Sequence, residues 1–278
     1  MAKIKVSIIG GAGYGAAELL RHLLVREDVE IHHISSKDYI GQSVSQVHRT
    51  LVGFEDLLLE DITPKECAIG ADFVFLAMPH ITTAKVAMEL FDLDVRIIDL
   101  SGDFRLENLQ DYIRDYAPAH PCADRLGSFV YGMPELNETA IKTAKHVASP
   151  GCFATCIAMG LLPLAKAGLL KGTNIRTVAM TGSSGSGVTP QAGTHHAIRV
   201  NNLKAYKPLH HQHRAEIVQT LTKAGAEKIS LDFVPVSAPL ARGILAISQL
   251  DLPDQFDEAA IQQIFENYYS RHNLVSVM

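Results

Sequence analysis

Ile4-Lys5-Val6-Ser7-Ile8-Ile9-Gly10-Gly11-Ala12-Gly13-Tyr14-Gly15-Ala16 is the stretch that decides the fold of this 278-residue chain. The apolar run Ile4–Ile9 ends in glycines and suits a strand buried on both faces. Ala16–Val25 (AAELLRHLLV) carries leucines at helical spacing and reads as a helix. Between them, Gly11, Gly13 and Ala16 satisfy G-x-G-x-x-G/A in the required place, after a strand and opening a helix. Glycines there permit a tight turn and let backbone N–H groups approach a pyrophosphate at the helix N-terminus. Gly10, Gly11, Ala12, Gly13, Tyr14 and Gly15 are therefore candidate dinucleotide contacts. A plain glycine-rich connection is the competing reading, and the βαβ rhythm beyond the turn argues against it.

That rhythm continues outward. Val29–Ile34, Phe73–Ala77 and Val95–Leu100 read as strands, with a helix at Thr82–Phe91 among the intervening helical stretches. The alternation predicts an α/β fold with a Rossmann-type doubly wound parallel sheet. After residue 150 the pattern changes. A helix is expected over Cys152–Gly168, and strands over Ile175–Met180, Ile229–Val236 and Gly243–Leu250. Long connections separate them, including a Gly/Ser/His-rich stretch from Thr181 to His213. A second, α+β domain with a largely antiparallel sheet follows from this, with the boundary near Ser149: domains 1–149 and 150–278.

The end of the second strand reads Ser35-Ser36-Lys37, with no carboxylate until Asp38. An NAD site places an acid there for the ribose 2′-hydroxyl. Two hydroxyls and an ammonium suit a 2′-phosphate instead, which points to NADP. A net charge of -5 excludes a basic nucleic-acid stripe. Cys67, Cys122, Cys152 and Cys156 form no CxxC framework, so reduced thiols in a cytoplasmic protein are expected. The first apolar run is too short for a secretory signal, and the stretch Cys152–Leu170 is broken by Pro163 and Lys166. It reads as a buried helix rather than a membrane span.

Ser149-Pro150-Gly151-Cys152-Phe153-Ala154-Thr155 carries the chemistry. Pro-Gly forces a turn and an apolar helix follows at once, so Cys152 falls at a helix N-terminus. Free N–H groups and the helix dipole favour a thiolate there, and can stabilise an oxyanion formed on attack at an acyl carbon. Cys156, one turn deeper, reads as packing. Further on, Tyr206-Lys207-Pro208-Leu209-His210-His211-Gln212-His213-Arg214-Ala215-Glu216 contains H-x-H-x-x-E, and His195-His196 adds a second pair. Histidines can shuttle protons near neutral pH. Metal binding by these clusters is the alternative, but neither HExxH nor CxxC is present, and no metal is expected.

Taken together these residues resemble the N-acetyl-gamma-glutamyl-phosphate reductases, within the wider group built like aspartate-semialdehyde dehydrogenase. The matching stretches are GGAGYGAAELLRHL, FLAMPH (75–80), DLSGDFRL (99–106), YGMPEL (131–136), SPGCFAT (149–155), HxHxxE (211–216) and ARGIL (241–245). They occur in order from residue 4 to about 250. The resemblance implies NADPH-dependent reduction of an acyl phosphate to a semialdehyde in arginine biosynthesis, through a thioester on Cys152. His211 would serve as acid/base with His213 and Glu216 nearby. Pro79 would join the cofactor contacts, and Asp103, Arg105, Ser184 and Arg242 would line the substrate pocket. A homo-oligomer, dimer or tetramer, is implied too, with neither nucleic acid nor membrane as partner.

Two departures shape the expectation. HHQH replaces His-Arg-His, and THHAIRVNN (194–202) resembles a sister branch that reduces carrier-bound aminoadipate phosphate in lysine biosynthesis. The chain also stops at Met278, whereas family members continue through a segment like DNLVKGAAGQAVQ that returns to the cofactor domain. A shortened chain with apolar surface left open and weaker NADP binding is the corresponding expectation. A dinucleotide-binding fragment without activity and a metal-dependent hydrolase stand as the rival readings.

Overall fold

The computed structural model describes residues 2–54 and 56–278. It divides into two compact units. One comprises Met1–Ile113, Ala117–Gly132 and Thr139–Pro150, and the other Arg114–Tyr116, Met133–Glu138 and Gly151–Met278. The strands are β1 (Ile4–Ile9), β2 (Val29–Ser35), β3 (Phe73–Leu76), β4 (Arg96–Asp99), β5 (Val130–Tyr131), β6 (His146–Ala148), β7 (Asn174–Thr181), β8 (Lys204–Ala205), β9 (Ser230–Ser237) and β10 (Ile244–Gln249). The helices are α1 (Tyr14–Leu23), α2 (Val44–Val47), α3 (Pro64–Ala68), α4 (Thr82–Leu90), α5 (Leu109–Asp115), α6 (Pro134–Thr143), α7 (Cys152–Lys166), α8 (His196–Arg199), α9 (His213–Ala224) and α10 (Glu258–Tyr269).

The first unit is a six-stranded sheet in the order β2-β1-β3-β4-β6-β5, parallel throughout. Its central strands are apolar because both faces are covered. One cluster gathers Ile8, Ala16, Leu20, Ile34, Val44, Leu51 and Leu59, and another gathers Val74, Leu76, Ala84, Leu90, Ile97, Phe104 and Phe129. β1 pairs with β2 on one side and β3 on the other, so chain order reverses there. A crevice outside the carboxyl ends of strands at such a switch point is where open α/β sheets hold ligands. The doubly wound parallel sheet expected from the sequence is present, and β5 and β6 extend it beyond the four strands anticipated.

The second unit holds a four-stranded sheet, β10-β7-β9-β8. Its two outer pairings are antiparallel, as expected, whereas the central and longest, β7 with β9, is parallel. β8 is short for a local reason. Tyr206 donates its N–H to the Pro235 carbonyl at 3.1 Å, but proline has no N–H to return, and the ladder ends there. The chain is thereby released into the loop that carries the histidines.

Phe153, Ile157, Leu161, Leu162 and Leu164 are buried along α7. Each such side chain contributes on the order of 2 kcal/mol when fully buried. Pro163 lies inside this helix and cannot donate to the Met159 carbonyl four residues back. Tyr269 of α10 supplies the missing donor, its hydroxyl lying 2.6 Å from that carbonyl oxygen. Among the described residues no helix is long and apolar enough to cross a membrane.

Candidate functional site

The glycine turn after β1 is built by close approach. Gly10 has φ +100°, and a Cβ there would lie 2.6 Å from the Ala77 carbonyl oxygen. A Cβ on Gly11 would strike Ile34 and come within 2.8 Å of Leu59. Both glycines donate their N–H groups to the Ser35 carbonyl at 3.0 Å. Gly13 caps α1 without a side-chain hydrogen bond, no acid stands in the first turn, and a Cβ on Gly13 would meet nothing within 4 Å. The turn thus pairs a tightly fixed base with open space over a helix N-terminus, the arrangement a pyrophosphate needs. Ala12 is partly buried, Tyr14 is 46% exposed, and Gly15 has nothing closer to its Cβ position than Leu100 at 3.9 Å.

At the end of β2 the three candidates separate. Ser35 is buried and turned toward Cys67. The Ser36 hydroxyl accepts the Asp38 N–H at 3.2 Å, while Lys37 is exposed. Glu60 is a carboxylate the linear sequence hides at this point. Its backbone bridges to Ser35, and its Oε2 accepts from His33 Nδ1 and the Ile34 N–H. Pro79 lies exposed just beyond β3, and its carbonyl accepts the Thr83 N–H and hydroxyl.

Asp103 and Arg105, which the family resemblance places at the substrate pocket, are both buried and hydrogen-bonded. Asp103 is fully buried, and its carboxylate accepts the N–H groups of Ile81 and Ala84 and the Tyr112 hydroxyl. It fixes the start of α4. Arg105, 7% exposed, donates through Nε to the Ser149 carbonyl at 2.7 Å and through Nη2 to that of Leu100 at 3.0 Å. Buried polar groups require such partners, and both side chains brace backbone.

The second cluster lies in the other unit. Cys152 is the first residue of α7 and is exposed. Gly151 before it donates its N–H to Glu216 Oε1 at 2.7 Å, and Glu216 Oε2 accepts the Tyr116 hydroxyl at 3.1 Å. Glu216 is wholly buried, and these bonds hold its carboxyl group beneath the turn that carries the cysteine. His213 packs its ring against Gly151 so closely that a Cβ would lie 2.6 Å from Cε1 and 2.7 Å from Cδ2. His211 is buried among the rings of Phe153, Tyr206, His213 and Phe233. Its Nδ1 accepts the His213 N–H at 3.2 Å, which leaves the ring proton on Nε2 when the imidazole is neutral.

Burial above all, then the charges of His213 and Lys207, push His211 down to about 3. His146 in the first unit is likewise lowered to about 4 by burial, with Lys145 adding to it. Both rings are neutral when folded and take up protons below about pH 6.5 when unfolded. Each therefore contributes stability that is full above pH 6.5 and lost as pH falls toward 3–4. Asp99, raised to about 6 chiefly by burial, acts in the opposite sense between about pH 4 and 6. With two histidines against one carboxyl, stability should fall as the solution is acidified from pH 6.5 to 4.5. Urea midpoints across that range check this, and a His211→Phe chain should show a shallower dependence.

Ser184 and Arg242 come together through backbone bonds. The Ser184 N–H donates to the Ala241 carbonyl at 3.0 Å and that of Gly182 to Gly243 at 3.1 Å, leaving Arg242 exposed. Tyr116, Tyr206 and Glu60 were not picked out by sequence. Tyr206 had a signal, standing beside the histidine run, whereas Tyr116 and Glu60 had none. Among the described residues no group of three or more His, Cys, Asp or Glu could hold a metal ion.

Residues 5–144 match the family model described as semialdehyde dehydrogenase, NAD binding domain, and residues 152–278 that of the semialdehyde dehydrogenase dimerisation domain. The N-acetyl-gamma-glutamyl-phosphate reductase of Parabacteroides distasonis is 40% identical over 277 residues, 99% of this chain and 79% of its own length. A putative (LysW)-L-2-aminoadipate/(LysW)-L-glutamate phosphate reductase of Cenarchaeum symbiosum is 34% identical, covering 99% of this chain and 78% of that protein. Among solved structures, aspartate semialdehyde dehydrogenase II of Vibrio cholerae superposes with a TM-score of 0.69 at 16% identity, over 95% of this chain and 79% of that one. That likeness is one of fold.

Proposed function

The chain belongs to the N-acetyl-gamma-glutamyl-phosphate reductase family of semialdehyde dehydrogenases, and from that membership we propose how its residues work. The reaction is the NADPH-dependent reduction of N-acetyl-gamma-glutamyl phosphate to the semialdehyde and phosphate, a step of arginine biosynthesis in the cytoplasm. Residues 1–149, apart from Arg114–Tyr116 and Met133–Glu138, serve as the NADP-binding domain, and the second unit as the catalytic and dimerisation domain. The observation that carries the reading is an exposed cysteine at the first position of an apolar helix, directly after a glycine that bonds buried Glu216 and packs against buried His213.

The Cys152 thiolate attacks the acyl carbon and the carbon–oxygen bond to phosphate breaks, giving a thioester and free phosphate. NADPH, when bound, supplies the hydride that reduces this thioester. The resulting oxyanion needs a donor, and neutral His211 offers its Nε2–H, so an uncharged imidazole acts as electrophile. Collapse expels the thiolate and releases the aldehyde, with His213 and Glu216 maintaining the position of the turn. Exposed Arg242 and half-buried Ser184 suit the substrate's carboxylate or phosphate. The test is the reverse reaction. N-acetylglutamate semialdehyde, NADP and phosphate should yield NADPH only when all three are present. A rate independent of phosphate would reject the acyl-phosphate chemistry.

The carrier-bound aminoadipate substrate is the second reading, favoured by the 34% identical relative whose name specifies it. Comparing free and carrier-linked semialdehydes in the same assay separates the two.

Lys37 and Ser36 fit a 2′-phosphate at the open end of β2. Lys37→Glu should weaken NADPH by ~30-fold or more while NADH binding changes little, because a carboxylate repels the phosphate and can bond the 2′-hydroxyl. Fluorescence titration with both nucleotides checks this. Equal losses would place the 2′-phosphate elsewhere.

One face of the second sheet is apolar and open. Val178, Leu245 and Ile247 are 44%, 57% and 51% exposed, and Val178 lies directly opposite Ile247 in register. A second copy of the chain is the occupant we assign, since a dimerisation-domain model spans residues 152–278. Val178→Asp with Ile247→Asp should weaken the dimer by ~100-fold, read by sedimentation. An unchanged oligomer would move the interface to another face.

A further inference from the structure

We propose that His48 is a positioning residue for the dinucleotide, acting through the carbonyl of Gly11; the inference rests on the NADP reading above. His48 Nε2 lies 2.8 Å from the Gly11 carbonyl oxygen. A carbonyl only accepts, so Nε2 carries the proton and His48 is the donor. The ring is 7% exposed and stands on a firm mount. Ser43 and Gln46 close a capping box around α2, the His48 N–H donates to Val44 at 2.7 Å, and the Leu51 N–H donates to the His48 carbonyl at 2.8 Å. Val44 and Leu51 then sink into the core cluster that also contains Ile8, Ala16 and Ile34. The segment after β2 thus carries one polar group to the glycine turn.

What this bond controls follows from peptide geometry. A trans peptide is planar, with C=O and N–H pointing opposite ways. Holding the Gly11 carbonyl toward His48 directs the Ala12 N–H away from His48, and an N–H at such a turn is a donor a pyrophosphate meets. The Gly11 N–H is fixed independently by the Ser35 carbonyl at 3.0 Å. With both ends tied and Ile34 and Leu59 against its α-carbon, Gly11 has one available orientation. Without His48, the Gly11–Ala12 peptide is free to rotate and the anion loses a preorganised donor.

The readout is the dissociation constant of NADPH and NADH, measured by fluorescence titration of the full chain. His48→Leu should weaken both nucleotides by the same factor, about tenfold, as expected for one lost hydrogen bond at a buried site. Equal loss distinguishes a pyrophosphate-turn defect from a change at the 2′-phosphate, which Lys37→Glu makes selectively. His48→Gln keeps an N–H donor and should restore binding to within about threefold. Unchanged affinity in a folded His48→Leu chain would overturn the assignment, as would loss confined to NADPH. If the leucine variant does not fold, the glutamine variant decides: a loss of tenfold or more there would overturn it. Wild-type chain that binds neither nucleotide would instead reject the cofactor reading itself.

Discussion

Serine at position 152 is expected to lower turnover by at least ~10³-fold while leaving the affinity for NADPH as it was. A hydroxyl at this position would be un-ionised near neutral pH, so the first attack on the acyl carbon fails. Any ester that did form would accept hydride poorly, and its alkoxide would leave far less readily than a thiolate. Both half-reactions are therefore lost through one atom. Cys156→Ser is the matched control. Its sulfur lies in the same helix, half-buried, 3.7 Å from the Ile244 carbonyl, and that variant should keep most of the activity. Steady-state rates of the two chains, with far-UV dichroism to verify folding, decide the matter. A serine-152 enzyme retaining a tenth of the rate would exclude covalent catalysis by this residue.

Gly151→Ala should be the next most damaging change. Gly151 has φ −68° and ψ 149°, a conformation alanine adopts freely, so backbone strain is not involved. The cost is steric, because the new methyl would enter the His213 ring. Either the ring or the turn must move, and overpacking of this kind costs about 1–3 kcal/mol. His213 donates its N–H to His211 Nδ1, and Gly151 donates to Glu216, so a shift propagates to every group around Cys152. A turnover loss of ~10²-fold is expected, together with a lower thermal midpoint. Wild-type turnover in the alanine chain would show that this packing is looser than the structure indicates.

The sequence expressed some of this architecture directly. Ile4–Ile9 has the same ends in structure as in the reading, because the buried stretch Val6–Ile9 runs straight into the glycine turn. Cys152 begins its helix because Pro150 and Gly151 leave no other local option. Where apolar spacing was the only guide, ends slipped. The helix expected over Thr82–Phe91 ends at Leu90, and that expected over Cys152–Gly168 ends at Lys166. β5 and β6, two and three residues long, are too short to show periodicity, and neighbouring strands alone define them. The parallel pairing of β7 with β9 depends on contacts 56 residues apart in the chain, Asn174 with Ser230 for example, which no local pattern encodes.

The candidate sites divide in the same way. The glycine turn and the cysteine were legible because each chemistry demands a backbone shape, and glycine and proline advertise shape. Partners supplied from afar were not. Tyr116 reaches Glu216 across 100 residues of sequence, and Glu60 arrives at β2 from a separate segment. Asp103 and Arg105 are buried and bond backbone groups, contacts that the motif alone does not spell out.

The most direct test of a thioester on Cys152 omits the reductant. Mixed with N-acetyl-gamma-glutamyl phosphate and no nucleotide, the enzyme should release phosphate in a burst of about one equivalent per chain and then stall. Rapid acid quench and peptide mass mapping should place the N-acetylglutamyl group on the peptide containing Cys152, and the serine-152 chain should show neither burst nor adduct. No burst from the wild-type enzyme, or an acyl group found on any other residue, would contradict the mechanism.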